Sequence, residues 1–158
     1  MFDQIGGLPV HVLVIHFAVV FVPLLAVGAI VYGVVPSLRP RIGWAVFLLA
    51  IIGPVCTFVA KESGEKLYNR LIAQGFKGPS KVLLDKHMGY GGQTFWFTLA
   101  LGVATLAMVL LTLRKAGSLP RVADIGLAVI VVALAAISSY YVYRTGDAGA
   151  HVVWGSQG

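Results

Sequence analysis

The sequence is poor in charge and nearly free of cysteine. Only 11% of its 158 residues are charged, whereas 58% are hydrophobic and the mean hydropathy is +0.88. An ordinary soluble domain carries about 25% charged residues, and a chain this short has too little interior to hide so much apolar surface. This composition excludes a soluble monomer, and it excludes disorder, which requires the opposite balance. The single cysteine, Cys56, excludes an internal disulfide.

Four stretches carry no charge over close to the roughly 20 residues that a helix needs to cross a bilayer. They are residues 12–35, 42–60, 94–113 and 125–143. They lack the alternating pattern of barrel strands, and an open sheet cannot satisfy its edge groups in lipid. The sequence therefore predicts an all-α integral membrane protein, with one four-helix bundle formed by residues 1–158.

The connections between the predicted helices differ in length. Residues 36–41 and 114–121 form short turns interrupted by proline, whereas residues 61–91 form a long loop. Within the loop, apolar residues recur at three- and four-residue spacing and predict a short amphipathic helix over residues 65–73. Gly75, Gly78 and Pro79 end it, and residues 80–87 form a second short piece, with Ser80 as its N-cap. We expect these pieces to form a helical lid over one end of the bundle.

The charges are distributed unevenly between the two ends of the bundle. The chain has 12 Lys and Arg against 6 Asp and Glu, a net charge of +6. Basic residues are densest in the two short turns, whereas nearly all the acidic residues lie in the long loop and near the termini. The positive-inside rule then places the short turns in the cytoplasm, and the loop and both termini on the extracytoplasmic side. The excess positive charge is explained by topology and lipid contact, without a nucleic-acid partner.

Histidine is the most informative side chain in the predicted spans. His16 lies in an uninterrupted apolar run near the start of the first helix. An ionisable residue within a membrane helix is expensive without a partner and is therefore a candidate functional residue. Imidazole is a common metal ligand and an axial ligand of haem. The alternative is structural: His16 would donate a hydrogen bond to a loop carbonyl and hold the bundle together.

Two further histidines could join His16. His11 lies five residues earlier, about 140° away around a helix, so the two share a face only if the chain before residue 12 is not helical. His87 enters the third helix beside a glycine-rich segment. We expect His16 and His87 to be the two axial ligands of a haem b iron, with His11 as a third candidate ligand. No Cys-x-x-Cys-His motif for covalent haem attachment is present, nor is any zinc or copper spacing.

Polar residues follow the second and fourth predicted helices. Glu62 and Glu65 come directly after the second, and Arg144, Asp147 and His151 follow the fourth. Both groups lie on the predicted extracytoplasmic side. We expect them to form a structural clamp in which Arg144 pairs with Glu62 or Glu65, while a carboxylate orients an imidazole.

Several of these segments together resemble a known family. They are the run from Leu8 to His16, Ser63-Gly64-Glu65, His87, the segment from Thr145 to Ala150, and Trp154. In this order and spacing they resemble an uncharacterised family of small bacterial four-helix membrane proteins, domain of unknown function 2231. The family's histidine positions correspond to His11, His16 and His87. The chain departs from the family at Val12, where proline is usual, and at His151, where a basic residue is common.

The resemblance implies a four-helix bundle in the bacterial cytoplasmic membrane. Some relatives are joined to Rieske-type iron–sulfur domains, which implies respiratory electron transfer. One hypothesis is therefore a redox subunit that bears haem b and exchanges electrons with a quinone or an extracytoplasmic redox protein. The alternative is a non-catalytic accessory subunit, packed in a larger respiratory or photosynthetic complex or a homo-oligomer. For either hypothesis we expect a subunit that is not an enzyme on its own, although the sequence leaves enzymatic activity open. A transporter or proton path is disfavoured because the central membrane layer carries no charge.

Overall fold

The computed structural model describes residues 4–5, 8–114 and 120–155, and four long helices make up nearly all of them. The helices are α1 (Val10–Val34), α2 (Arg39–Ala73), α3 (Pro79–Arg114) and α4 (Arg121–Trp154). Each is long and apolar enough to cross a membrane. Before α1, the two-residue strands β1 (Gln4–Ile5) and β2 (Leu8–Pro9) pair antiparallel. The predicted all-α membrane bundle is confirmed.

Each helix packs against its neighbours in the sequence, and α4 closes the ring against α1. The helices α1 and α3 therefore face each other across one diagonal of the bundle. The core contains small and aliphatic side chains such as Leu25, Ala50, Leu101 and Val131. Large apolar side chains are also exposed on the outside of all four helices, as a lipid-facing surface requires.

The helices are longer than the apolar stretches that predict them. At 1.5 Å per residue, α1 is about 37 Å long, whereas α2, α3 and α4 are each about 51–54 Å long. The hydrocarbon layer is about 30 Å thick. At the end of the bundle where α1 begins, the helices α2, α3 and α4 therefore extend well beyond α1. We call this end of the bundle the histidine end, and the end at which α2 and α4 begin the Arg39 end.

The predicted loop over residues 61–91 needs correction. It is helical except at residues 74–78, and the lid segments 65–73 and 80–87 are continuations of α2 and α3. Charges such as Lys61 mark where the chain leaves the apolar layer, not where the helix ends. They support the helix through ion pairs one turn apart, Lys61 with Glu65 at 2.6 Å and Lys81 with Asp85 at 2.7 Å.

The turn between α2 and α3 forms at the glycines that predict it. Gly75 and Gly78 have φ of +89° and +78°, a backbone region that glycine adopts readily. The amide of Gly75 donates to the carbonyl of Ile72, and the amide of Phe76 donates to that of Leu71. These two bonds form a Schellman motif, which satisfies the carbonyls at the end of α2. Ser80 is not an N-cap, because α3 already begins at Pro79.

The two short turns lie at the Arg39 end. In the first, Pro36–Leu38 forms a single 3-10 turn, and α2 begins at Arg39, inside the predicted turn. The Arg39 side chain is buried and donates to the carbonyls of Tyr32 and Gly33, at 2.9 and 3.1 Å, which caps α1. It also forms a 2.8 Å ion pair with Asp124 of α4. Residues 115–119 of the second predicted turn lie outside the described residues.

The hairpin α1–α2 and the hairpin α3–α4 are internally equivalent. A shift of 76 residues carries every buried position of α1 onto a buried position of α3. The α1 positions are Ala18, Val22, Leu25, Ala26, Ala29, Tyr32 and Gly33, and their α3 equivalents are Thr94, Thr98, Leu101, Gly102, Thr105, Met108 and Val109. A shift of 85 carries three of the seven buried residues of α2, Val46, Ala50 and Gly53, onto buried residues of α4, Val131, Ala135 and Ser138. These buried positions of the two hairpins follow a pseudo-two-fold pattern.

Candidate functional site: two equivalent histidines

His11 lies on the first turn of α1 and contacts α2. Its Nδ1 is 3.0 Å from the carbonyl oxygen of Ala60 and 3.3 Å from Oγ of Ser63. A carbonyl oxygen only accepts, so Nδ1 carries the hydrogen of this bond. The ring packs directly on Gly64, where an added Cβ would lie 3.0 Å from Cε1 of His11. Gly64 is therefore the residue that lets the imidazole approach α2.

His87 of α3 makes the same set of contacts with α4. Its Nδ1 donates to the carbonyl oxygen of Thr145 at 2.9 Å. Its ring packs on Gly149, where an added Cβ would lie 3.0 Å from both Cε1 and Nδ1 of His87. In each hairpin the accepting carbonyl lies four residues before the glycine. The shifts of 76 and 85 carry His11, Ala60 and Gly64 onto His87, Thr145 and Gly149, so the two histidine sites are equivalent.

The two imidazole rings meet across the α1–α3 diagonal. Their centroids are 6.1 Å apart and their planes are nearly perpendicular, at 84°. Among the described residues, neither Nε2 has a hydrogen-bond partner. The bundle thus brings together two imidazoles, each fixed through Nδ1 and, among the described residues, without a partner at Nε2. Metal-binding histidines share one of these features, since their second ring nitrogen almost always donates to a backbone carbonyl or carboxylate.

Exposed aromatic residues show the depth of this histidine pair. Trp96 of α3 and Tyr143 of α4 are 61% and 69% exposed, and Trp44 is 69% exposed near the Arg39 end. Tryptophan and tyrosine concentrate at the two membrane–water interfaces. His87 lies nine residues beyond Trp96, about 13 Å towards the histidine end, and Thr145 lies two residues beyond Tyr143. The pair therefore lies towards the histidine end from both aromatic residues.

The number of protein ligands limits which metal groups the pair could hold. In the part of the chain that the structure describes, no group of three or more His, Cys, Asp or Glu residues could hold a metal ion. A structural zinc ion takes four protein ligands, and a catalytic one takes three. Two imidazoles suit an iron whose other ligands come from a porphyrin, because haem leaves two axial positions for the protein.

The structure does not bring His16 or His151 to the pair. His16 is exposed, and its Nδ1 donates to the carbonyl of Val12 in its own helix, at 2.7 Å. His151 is also exposed, and its Nδ1 donates to the carbonyl of Asp147 at 2.8 Å. The structure therefore places His11, and not His16, beside His87. Because His11 and His16 lie about 140° apart on a helix, only one of them can face the bundle axis.

The expected polar clamp does not form among the described residues. Glu62 and Glu65 both bind Lys61, at 3.3 and 2.6 Å. Arg144 donates to the hydroxyls of Tyr90 and Tyr140, at 2.7 and 3.2 Å, and lies over both rings. Asp147 lies 3.5 Å from His151. These contacts stay within one helix or within the α3–α4 hairpin, because Arg144 points towards α3 and not towards α2.

Sequence reasoning missed the two glycines. Glu62-Ser63-Gly64 and Asp147-Ala148-Gly149 share an acid–small–glycine pattern, 85 residues apart. Together with the histidines 76 residues apart, this repeat was available in the sequence. It would have assigned His11, and not His16, as the counterpart of His87.

The fold and the site define a helical integral membrane protein in which each of two hairpins packs a histidine on a glycine of the neighbouring helix. Residues 7–157 match the family described as "Predicted membrane protein (DUF2231)", and the chain belongs to this family. The family was expected from the sequence and is confirmed. No curated protein and no solved structure matches the chain.

Proposed function

We propose that this protein binds one haem b between His11 and His87 and serves as an electron-transfer subunit in the bacterial inner membrane. The observation that carries the proposal is the histidine pair itself: both Nδ1 atoms donate to helix carbonyls, and neither Nε2 atom has a partner among the residues that the structure describes. The proposal revises the sequence-based haem hypothesis by replacing His16 with His11.

The two rings lie close together, with centroids 6.1 Å apart. His11 and His87 would hold the haem, each through its Nε2, while each Nδ1 keeps its hydrogen bond to a helix carbonyl.

Residues around the pair orient the ligands. The carbonyls of Ala60 and Thr145 fix the tautomer of each imidazole and increase the electron density at Nε2. Gly64 and Gly149 hold each ring against its partner helix. When bound, haem supplies one-electron chemistry. The site lies near the histidine end of the bundle, where a membrane quinone or an extracytoplasmic redox protein would exchange electrons with it.

The proposed orientation places the histidine end outside the cytoplasm. The Arg39 end has the denser set of basic residues, Arg39, Arg41, Arg114, Lys115 and Arg121, with Asp124 as its one acid. The positive-inside rule favours this end in the cytoplasm. A reporter at the C-terminus tests this orientation. Fused alkaline phosphatase should be active and fused green fluorescent protein dark, and the reverse pattern would overturn it.

Absorption spectroscopy tests the haem proposal. The protein, produced with added haem precursor and purified in mild detergent, should show a Soret band that shifts on dithionite reduction, with one haem per chain. A colourless protein would contradict the proposal. That result would leave the histidines as hydrogen-bonding links between helices, as expected of a non-catalytic accessory subunit.

A further inference from the structure

A groove lies between α1 and α4 at the Arg39 end of the bundle. One wall is formed by residues 33, 34 and 36, and the other by residues of α4 from Asp124 to Ala133. We call it the α1–α4 groove. Its volume is about 560 Å³, within the range of small-molecule binding sites. Its wall on α4 spans nine residues, about 13 Å, which is close to the half-thickness of the hydrocarbon layer, about 15 Å.

The α1–α4 groove opens towards lipid and not into the core. Its floor is a close approach of the two helices, since an added Cβ on Gly33 would lie 3.5 Å from the Cα and Cβ of Ala128. Its rims are Val34, Ile125 and Val129, which are 57%, 54% and 62% exposed. In a bilayer such a groove is filled either by an acyl chain or by another protein surface.

The pseudo-two-fold pattern shows that packing of the hairpins does not require a groove here. The shift of 85 carries Val129, Val132 and Ala133 of α4 onto Trp44, Phe47 and Leu48 of α2. The shift of 76 carries Gly33 onto the buried Val109 of α3. Side chains at these positions on the α2–α3 side are therefore larger. The open space on the α1–α4 side is a property of these particular residues.

The outer end of the groove carries an unpaired positive charge. Arg121 is exposed and lies one turn before Ile125, on the same face of α4. Among the described residues, no side chain pairs with its guanidinium. Asp124 is the one charged residue among those that line the groove, and the buried Arg39 neutralises it at 2.8 Å. The charge that remains for a ligand is that of Arg121.

This charge separates the two kinds of occupant. A second copy of the chain, inserted in the same orientation, would bring its own basic Arg39 end to the same level, and like charges repel. An anionic phospholipid complements both parts of the site. Its acyl chain fits an apolar groove that spans one leaflet, and its phosphate fits a guanidinium, which binds phosphate through two parallel hydrogen bonds.

We propose that the α1–α4 groove binds one anionic phospholipid, with an acyl chain against Gly33 and Ala128 and the phosphate on Arg121. The contact is specific to one site on the bundle, unlike the general contact of apolar helices with lipid. This inference goes beyond the electron-transfer proposal and depends on neither haem nor the histidine pair.

Native mass spectrometry of the full chain, released from detergent, tests the charge. The delipidated protein is titrated with phosphatidylglycerol, which is anionic, or with phosphatidylcholine, which has no net charge. The test variant is Arg121→Gln. The matched control is Arg114→Gln, because Arg114 is also exposed at this end but lies at the end of α3. Since both side chains are exposed, neither substitution disturbs the core.

The wild type should bind one phosphatidylglycerol at least about fivefold more tightly than phosphatidylcholine. Arg121→Gln should lower the affinity for phosphatidylglycerol by about fivefold, whereas Arg114→Gln should match the wild type. Equal affinity of the wild type for the two lipids would overturn the inference, as would equal effects of the two substitutions.

A filled groove tests the apolar part. The double variant Val132→Phe with Ala133→Leu copies Phe47 and Leu48, and its control makes the same changes on exposed residues of α3, Val103→Phe with Ala100→Leu. The filled variant should bind both lipids at least about fivefold more weakly, and the control should match the wild type. Equal binding by the two double variants would overturn the inference. A wild-type dimer that the filled variant loses would also overturn it, because the groove would then hold a second copy.

Discussion

The imidazole ring of His11 and that of His87 meet edge to face, with centroids 6.1 Å apart, although 76 residues separate them in the chain. Each ring is fixed by a helix carbonyl and seated on a glycine, and the two sets of contacts are related by the pseudo-two-fold repeat. The candidate site therefore contains the same set of contacts twice, once in each hairpin. Predictions about the site can be checked by comparing equivalent residues.

The two glycines under the histidine rings should be equally intolerant of a side chain. Gly64→Ala and Gly149→Ala each place a Cβ 3.0 Å from an imidazole whose Nδ1 is already bound. We expect each to lower the free energy of unfolding by about 1–2 kcal/mol, because overpacking outweighs the gain in helix propensity. Thermal unfolding in detergent measures this.

The matched control for these glycines is Gly126→Ala. No atom lies within 4 Å of its added Cβ, so the substitution should leave stability unchanged or raise it by up to about 1 kcal/mol. Equal tolerance at all three positions would contradict the packing described here.

The ion pair between Arg39 and Asp124 should tolerate an exchange of its two residues. Arg39→Ala removes a buried charge partner and two bonds that cap α1, so we expect a loss of about 2–4 kcal/mol. The exposed Arg41→Ala should cost less than about 0.5 kcal/mol.

The positions of Arg39 and Asp124 are themselves equivalent under the shift of 85. The exchanged variant Arg39→Asp with Asp124→Arg should therefore recover at least half of the loss caused by either single change. In it, the new arginine would reach the carbonyls of Met108 and Val109, which are equivalent to those of Tyr32 and Gly33. Unfolding curves of the three variants check this, and an exchange no better than the single changes would disprove the equivalence of the Arg39 end.

The turn between α2 and α3 depends on Gly75. Gly75 has φ of +89°, so Gly75→Ala should lower the free energy of unfolding by about 1–2 kcal/mol. Gly89 lies on an open face of α3, so Gly89→Ala should not destabilise the protein. Limited proteolysis at residues 74–78 gives a direct measurement. Gly75→Ala should be cleaved faster than Gly89→Ala, and equal rates would argue against a strained turn.

The fold was predictable because membrane spans are defined by apolar length and by the absence of charge. The true helix ends were not, since hydropathy reports where the chain leaves lipid and not where backbone hydrogen bonds stop. The extension of α2 from residue 61 to Ala73 is the clearest example. Only glycines such as Gly75 and Gly78 indicated the real break.

The amino-acid composition of α1 does not show which of its faces points into the bundle. In a soluble helix polar residues mark the outer face, but in lipid both faces of α1 are apolar, so His16 looked as deeply placed as any core residue. Helical geometry still separated His11 from His16, and the choice between them needed the partner glycine on α2.

The haem content of single-histidine variants tests the central claim most directly. In reduced-minus-oxidised difference spectra of equal amounts of protein, His16→Ala should retain the wild-type haem signal. His11→Ala and His87→Ala should each reduce haem affinity by at least about tenfold, to similar extents, because the two sites are equivalent. Retention of the full signal by His11→Ala, or its loss in His16→Ala, would contradict the account.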